Sequence, residues 1–226
     1  MVKDSFDRDG FVVVEQFLDE QQTAKSLELW DVLAADPKVS KFLDDESDLS
    51  TLKALHHIDR HQAFFKDIFH ATDLLKLLGE LASEPMSVVY AETFRKPPRS
   101  GGPTPPHQDM PYIIRDCNAR TDDPVFAIWV ALDRVDEGNG CLRYVRGSHR
   151  KGIRDYSKTE VLGFSLGMTD YGPEDEALAA PICLNPGDAI IHHALTIHRT
   201  DTNESDRERR ALVCNYISMD LADRQT

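Results

Sequence analysis

The hydrophobic pattern of this 226-residue chain changes near residue 86, and this change limits the folds that the chain can adopt. Before it, apolar residues recur at helical spacing. After it, short β-branched and aromatic runs alternate with turns rich in glycine and proline. Helices followed by short strands predict an antiparallel barrel or sandwich with helices packed on one face. Without an internal repeat or linker, we expect one domain over residues 1–226, mostly helical over 1–85 and with a β core over 86–220.

The first part of the chain contains signals for a strand, two helices and a loop. Asp19 and Gln22 form a capping box, which marks the start of the first helix. The predicted elements are a strand over Phe11–Val14, a helix to about Ala35, a polar and acidic solvated loop over residues 36–58, and a helix from about Gln62 to Ala82.

The second part of the chain is a series of predicted strands. They cover Ser87–Phe94, Val125–Leu132, Cys141–Val145, Ala189–His193 and Arg210–Ser218. A loop rich in proline and glycine, Pro97–Pro106, leads directly into His107.

Composition excludes several classes of protein. The net charge of −13 disfavours binding to nucleic acid or to anionic membranes, and no apolar run approaches the roughly 20 residues of a spanning helix. The first residues do not resemble a signal peptide. The four cysteines form no CxxC pair, which is typical of thiols in a reducing compartment, so we expect a cytoplasmic protein.

Two histidines and one aspartate form the pattern that carries chemistry. Alternate residues of a strand face the same side, so His107 and Asp109 can reach one metal ion while Gln108 points away. His198 follows Asp109 by 198 − 109 = 89 residues, enough for several strands to bring it back. Two imidazoles and one carboxylate can hold one face of iron(II) and leave the other face open.

Further motifs accompany this pattern in a fixed order. They are Phe6-x-x-x-Gly10-Phe11-Val12-Val13-Val14, His107–Gln108–Asp109, Trp129–Val130–Ala131–Leu132, Gly138–Asn139–Gly140–Cys141–Leu142, Gly147–Ser148–His149, Pro186–Gly187–Asp188, and His198 followed by the basic pair Arg209–Arg210. In this order they resemble the phytanoyl-CoA dioxygenase family of iron(II)- and 2-oxoglutarate-dependent oxygenases, over nearly the whole chain.

The resemblance implies a mainly β fold with flanking α-helices, the double-stranded β-helix, which is also called a jelly roll and is cupin-like. It implies that His107, Asp109 and His198 bind Fe(II). The chemistry is then carried by the iron, and no side chain is expected to act as a catalyst.

The resemblance also implies a site for 2-oxoglutarate. In the family, a carboxylate of 2-oxoglutarate is held by an arginine about eleven residues beyond the distal histidine. Arg209 occupies that position here. Arg210 faces the other side of the same strand and remains the alternative. Trp129 and Thr200 are expected beside the 2-oxoglutarate.

The activity implied by the resemblance is hydroxylation of a small molecule, with consumption of O2 and conversion of 2-oxoglutarate to succinate and CO2. Two alternatives stay open: a cupin-like metal-dependent enzyme that does not use 2-oxoglutarate, and a non-catalytic jelly-roll binding module. The sequence predicts neither the substrate nor the oligomeric state.

Four residues near the predicted metal ligands are candidates for a substrate pocket: Tyr90, Gln108, Tyr112 and Arg115. His192 and His193 precede His198 on a predicted strand, and we expect them to pack or to line the pocket rather than to bind metal.

Overall fold

The structure is a computed structural model that describes residues 2–44, 48–158 and 166–225. The helices are α1 (Val2–Asp9), α2 (Glu20–Ala35), α3 (Ile58–His61), α4 (Ala63–Phe69), α5 (Thr72–Ala82), α6 (Met110–Cys117), α7 (Pro173–Leu178) and α8 (Met219–Asp223). The strands are β1 (Phe11–Val14), β2 (Lys41–Leu43), β3 (Leu52–His56), β4 (Met86–Lys96), β5 (Thr104–His107), β6 (Val125–Ala131), β7 (Leu142–Val145), β8 (Tyr156–Lys158), β9 (Leu166–Met168), β10 (Ala179–Ile182), β11 (Ala189–His193), β12 (His198–Thr200) and β13 (Arg209–Ser218). Short 3₁₀ turns cover Leu49–Thr51, Glu137–Asn139 and Ser148–Lys151.

Two antiparallel sheets form the centre of the fold. The large sheet has the strand order β1-β11-β6-β13-β4-β3-β2, and the small sheet has the order β10-β7-β12-β5. Side chains of the large sheet, among them Trp129 and Val213, pack against Leu142 and Tyr144 of the small sheet. This arrangement confirms the predicted mainly β jelly roll with helices on one face.

Because side chains alternate along a strand, the two faces of the large sheet pack into two different hydrophobic cores. On β6, Trp129 faces the small sheet, while its neighbours Ile128 and Val130 pack with the helices on the other face. All seven residues of β6 are buried, because both faces of this central strand are covered. The space between the two sheets is therefore separate from the helix layer.

The start of α2 confirms the predicted capping box. The Asp19 carboxylate accepts a hydrogen bond from the Gln22 amide at 2.7 Å, and the Gln22 side chain accepts one from the Asp19 amide at 3.0 Å. The helix ends at Ala35, as predicted.

Two predictions for the helical part are wrong in detail. The helix expected from Gln62 to Ala82 is interrupted between α4 and α5, where Ala71 has a non-helical ψ of 132° and Thr72 starts a new helix. Residues 36–58 are not wholly a solvated loop, because β2 and β3 extend the large sheet and Leu52 and Leu55 of β3 are buried. The acidic residues 45 and 46 of that segment lie outside the described residues.

None of the helices in the described parts of the chain has the length and apolar character needed to cross a bilayer.

Candidate metal centre

The two candidate histidine ligands lie side by side on the small sheet. His198 on β12 pairs directly with His107 at the end of β5, and their ring centroids are 4.1 Å apart. Both side chains are almost completely buried. The strand register therefore brings together two residues that are far apart in the sequence.

Backbone carbonyls fix the tautomer of both rings. The Nδ1 atom of His107 donates to the Pro105 carbonyl at 2.9 Å, and Nδ1 of His198 donates to the Thr196 carbonyl at 3.0 Å. The Nε2 lone pairs are then directed toward the site, as metal ligation requires. Burial lowers the pKa of His107 and lowers the pKa of His198 to about 3, which keeps both rings neutral.

Asp109 completes the cluster, but not from a strand. The predicted geometry is wrong here, because β5 ends at His107 and the chain turns so that Asp109 directly precedes α6. Its Oδ1 lies 3.6 Å from Nε2 of His107 and 3.7 Å from Nε2 of His198. The three potential ligand atoms lie within 4.8 Å of one another, a separation that one metal ion can bridge.

The Asp109 carboxylate is stabilised in its ionised form. Burial opposes the charge, but the hydrogen bond that His192 donates to the carboxylate helps to hold the pKa of Asp109 below its ordinary value. The site thus presents two neutral imidazoles and one carboxylate, the protonation states that a divalent ion requires.

His192, which the sequence predicts to pack or to line the pocket, makes two specific contacts in the structure. Its Nε2 lies 2.8 Å from Oδ2 of Asp109, and its Nδ1 lies 3.0 Å from the hydroxyl of Tyr144. Tyr144 was not among the predicted site residues. The signal for His192 was its strand position before His198, whereas nothing local in the sequence indicated Tyr144.

Arg209 and Arg210 face opposite sides of β13. Arg209 is buried between the sheets, its guanidinium carbon 5.4 Å from the centroid of the Trp129 ring. Its Nε has no hydrogen-bond partner among the described residues, and burial lowers its pKa to about 10. Arg210 faces the helix layer, where its Nε and Nη2 donate to the Asp133 carboxylate at 3.0 and 2.9 Å and its guanidinium lies over Trp30.

Trp129 packs with Leu142 between the two sheets, and Thr200 on β12 is the strand partner of Leu142. Trp129 packs in one apolar cluster with Tyr144, whose ring is stacked at 5.5 Å on that of His198. Thr200 is buried two residues beyond His198, and its hydroxyl accepts a hydrogen bond from the Thr104 amide at 3.2 Å.

Two of the candidate pocket residues, Tyr112 and Arg115, lie on α6, which directly follows Asp109, whereas Tyr90 lies on β4 of the large sheet, with its ring against that of His57. The Tyr112 ring on α6 is 6.4 Å from the His107 ring, and its hydroxyl donates to the Leu166 carbonyl at 3.2 Å. Arg115 lies over Tyr112 at 5.5 Å, with its half-exposed side chain paired to Asp116. Burial, followed by the charges of Glu92 and Asp109, raises the pKa of Tyr90.

Gln108 has a different position from the one expected of a pocket residue. Its side chain is completely buried, and its amide nitrogen donates to the carbonyls of Gly152 and Leu195 at 2.9 and 2.7 Å. Its amide oxygen accepts from the Arg154 amide at 3.0 Å. These bonds satisfy both ends of the amide, so Gln108 connects three loops around the metal ligands instead of facing a substrate.

Known proteins resemble this chain in sequence and in fold. The sequence profile of the phytanoyl-CoA dioxygenase (PhyH) family matches residues 6–211. Peroxisomal phytanoyl-CoA dioxygenase of Homo sapiens is 28% identical over 155 residues, which are 66% of this chain and 44% of that protein. The chain spans about half the length of the curated relatives it matches.

Two solved structures have a similar fold. EvdO2 from Micromonospora carbonacea var. aurantiaca, complexed with 2-oxoglutarate, has a TM-score of 0.75 and 25% identity over 96% of this chain and 89% of that one. The epimerase SnoN, in complex with Fe3+, alpha ketoglutarate and nogalamycin RO, has a TM-score of 0.75 and 21% identity over 96% of this chain and 82% of that one. Because the family profile covers most of the sequence, the chain belongs to the phytanoyl-CoA dioxygenase family.

Proposed function

We propose that this protein is an iron(II)- and 2-oxoglutarate-dependent dioxygenase that hydroxylates a small molecule. One iron(II) ion would be held by His107, Asp109 and His198, with 2-oxoglutarate anchored by Arg209 beside Trp129 and Thr200. When bound, iron with 2-oxoglutarate and O2 supplies an oxidant for an unactivated carbon, and 2-oxoglutarate becomes succinate and CO2.

The donor set fits iron(II). Two histidines and one carboxylate on one side of an ion form the facial arrangement of non-haem iron oxygenases, which leaves positions for a co-substrate and oxygen. The Nε2 atoms of His107 and His198 carry lone pairs because Nδ1 of each ring donates to the backbone. No cysteine belongs to the described cluster, which disfavours a thiolate zinc site.

The buried guanidinium of Arg209 is the observation that carries the proposal for 2-oxoglutarate. No carboxylate in the described parts of the chain forms an ion pair with it, and its Nε has no partner. An isolated buried cation is costly unless an anion accompanies it. A carboxylate that accepts two parallel N–H bonds from the guanidinium would satisfy this group.

The surrounding residues bind and orient rather than react. Trp129 forms an apolar wall beside Arg209, and water excluded from this space strengthens the contact between guanidinium and carboxylate. Tyr90, Tyr112 and Arg115 are proposed to contact the substrate on the open side of the metal. Hydroxyl and guanidinium groups there favour a small substrate with polar groups.

The two alternative functions give no role to the buried Arg209. A cupin-like enzyme without 2-oxoglutarate has no need of a buried arginine facing the space beside the metal ligands, and neither has a binding module. Measurement of succinate formed per chain in the presence of iron(II), O2 and candidate substrates separates these functions. Absence of succinate under all these conditions would reject the dioxygenase.

Replacement of Arg209 tests the anchor directly. We expect Arg209→Ala to lose about 2–5 kcal/mol of 2-oxoglutarate binding, because one partner of a buried charge pair is removed. This corresponds to a weakening of roughly 30-fold to several thousand-fold, measurable by calorimetry on the metal-loaded protein. Arg209→Lys is expected to recover only part of the 2-oxoglutarate affinity, since an ammonium lacks the planar pair of N–H donors of a guanidinium.

Arg210→Ala is the matched control, because this neighbour is on the same strand and is bonded to Asp133 on the opposite face. It should reduce stability and leave 2-oxoglutarate affinity near that of the parent. A large loss of affinity in Arg210→Ala alone would move the anchor to the other face of β13.

A further inference from the structure

We infer that His192, itself oriented by Tyr144, is a positioning residue that holds Asp109 with one oxygen toward the metal. This inference rests on the proposed metal site and assigns a role to two residues outside the ligand set. His192 belongs to β11 of the large sheet, whereas His107 and His198 belong to the small sheet. It therefore reaches the carboxylate from the opposite wall of the site.

The two oxygens of the Asp109 carboxylate have different surroundings. Oδ1 is the atom near Nε2 of His107 and Nε2 of His198, at 3.6 and 3.7 Å. Oδ2 is the atom bonded to Nε2 of His192, at 2.8 Å. His192 therefore occupies one oxygen of the carboxylate and leaves the other for the ion.

The hydrogen-bond partners determine the tautomer of His192. An ionised carboxylate only accepts, so Nε2 of His192 must carry the hydrogen that it donates to Asp109. In the neutral ring, Nδ1 is then an acceptor, and it receives the hydroxyl hydrogen of Tyr144 at 3.0 Å. The hydrogen bonds run in one direction, from Tyr144 to His192 to Asp109.

This tautomer is the opposite of the one at the two candidate ligands. His107 and His198 donate from Nδ1 to the backbone and present Nε2 lone pairs, whereas His192 presents an N–H to the site. A ring that uses Nε2–H for Asp109 has no lone pair there for a metal ion. The chain thus has three neighbouring histidines, two suited to ligation and one suited to orientation.

Burial makes this arrangement rigid. His192 is 3% exposed and Tyr144 is completely buried, so neither side chain has room to exchange its partner for water. The Tyr144 ring is also stacked on Phe11 and His198, which limits its rotation. Groups that orient a ligating carboxylate typically contribute about 10–100-fold to metal affinity.

The test measures Co(II) binding to the full chain without turnover. We expect His192→Phe to weaken Co(II) binding by about 10–100-fold and to change the visible absorption of the bound Co(II), because the freed carboxylate can bind through both oxygens. His192→Gln, whose amide can donate to Asp109, is expected to recover most of the affinity. Tyr144→Phe should give a smaller loss of Co(II) affinity. Without the hydroxyl, the Nε2–H tautomer of His192 becomes less favoured, but the ring can still donate to Asp109.

His193→Phe is the matched control. His193 follows on the same strand, but its Nδ1 accepts from the Leu195 amide at 3.0 Å and it contacts none of the three ligands in the described structure. Co(II) affinity in this variant should stay within about twofold of the parent. A His192→Phe protein that is folded and binds Co(II) as tightly as the parent, with the same spectrum, would overturn the inference.

A measurement on the unaltered protein covers the case in which His192→Phe does not fold. Long-range ¹H–¹⁵N correlation spectra should show His192 protonated at Nε2 and His107 and His198 protonated at Nδ1. Protonation of His192 at Nδ1 alone would overturn the inference. If the parent itself bound no Co(II), the proposed metal site would fail, and the tautomer of His192 would still be measured independently.

Discussion

At the scale of the residue, Lys96 is a second buried basic side chain near Arg209. The two residues are paired across β4 and β13, and Lys96 is only 4% exposed. Its Nζ atom donates to the Gly102 carbonyl, which connects β4 to the loop before His107. Burial, followed by repulsion from Arg209 and Lys53 and partly offset by Asp201, lowers the pKa of Lys96 to about 6.

This lowered pKa predicts a pH dependence of stability. Between about pH 6 and the ordinary lysine value of 10.5, the unfolded chain binds one proton more at Lys96 than the folded chain. The contribution of Lys96 to stability therefore increases as pH rises through this window. Chemical denaturation measures the unfolding free energies of the parent and of Lys96→Met. As pH rises through this window, the value for the parent minus the value for the variant should increase by up to about 1.4 kcal/mol per pH unit. A difference independent of pH would contradict the prediction.

At the scale of the element, the turn before β11 depends on one glycine. Gly187 has a φ of +89°, and its carbonyl accepts a hydrogen bond from the Leu18 amide at 2.9 Å. A Cβ atom at this position would meet the carbonyl oxygen of Leu18. The turn sets the start of the strand that carries His192.

Gly187→Ala should therefore destabilise the protein by at least about 1 kcal/mol, since alanine adds both backbone strain and a clash. The midpoint of denaturation with urea measures this loss. Gly102→Ala is the control, because no atom lies within 4 Å of a Cβ placed there, and we expect a change within about 0.5 kcal/mol. Equal stability of the two variants would contradict the role given to the turn.

At the scale of the whole molecule, the residues of the proposed site come from both sheets. His107 and His198 belong to the small sheet, while His192 and Arg209 reach the site from the large sheet. A metal ion and 2-oxoglutarate would therefore bind only when both sheets are assembled. Binding of the ion or of 2-oxoglutarate should therefore stabilise the whole folded protein against unfolding.

We expect Mn(II) at about 100 times its dissociation constant to stabilise the protein by about 2.7 kcal/mol, which is roughly 5–10 °C in melting temperature for a chain of this size. Asp109→Ala should show little of this shift because one of three ligands is lost. Calorimetric melting with and without Mn(II) provides the measurement. An equal shift in parent and Asp109→Ala would place the ion elsewhere.

The sequence by itself was informative where the relevant signal is local. The capping box at Asp19 predicted the start of α2, and the other local signal was the alternation of side chains along a strand. The same alternation placed Arg209 and Arg210 on opposite faces of one strand, which the structure confirms. Short-range periodicity determines these features because it follows from the geometry of a single helix or strand.

Contacts between distant segments were decided only by the tertiary structure. His192 and Asp109 are 83 residues apart, and Tyr144 and His192 are 48 apart, so no local pattern indicates that their side chains meet. The sequence predicts Gln108 at a pocket, but backbone groups of two other loops satisfy its amide. The sequence determined which residue types are available for the site. The packing of the two sheets determined their partners, because a hydrogen bond depends on distance and direction in space rather than on separation along the chain.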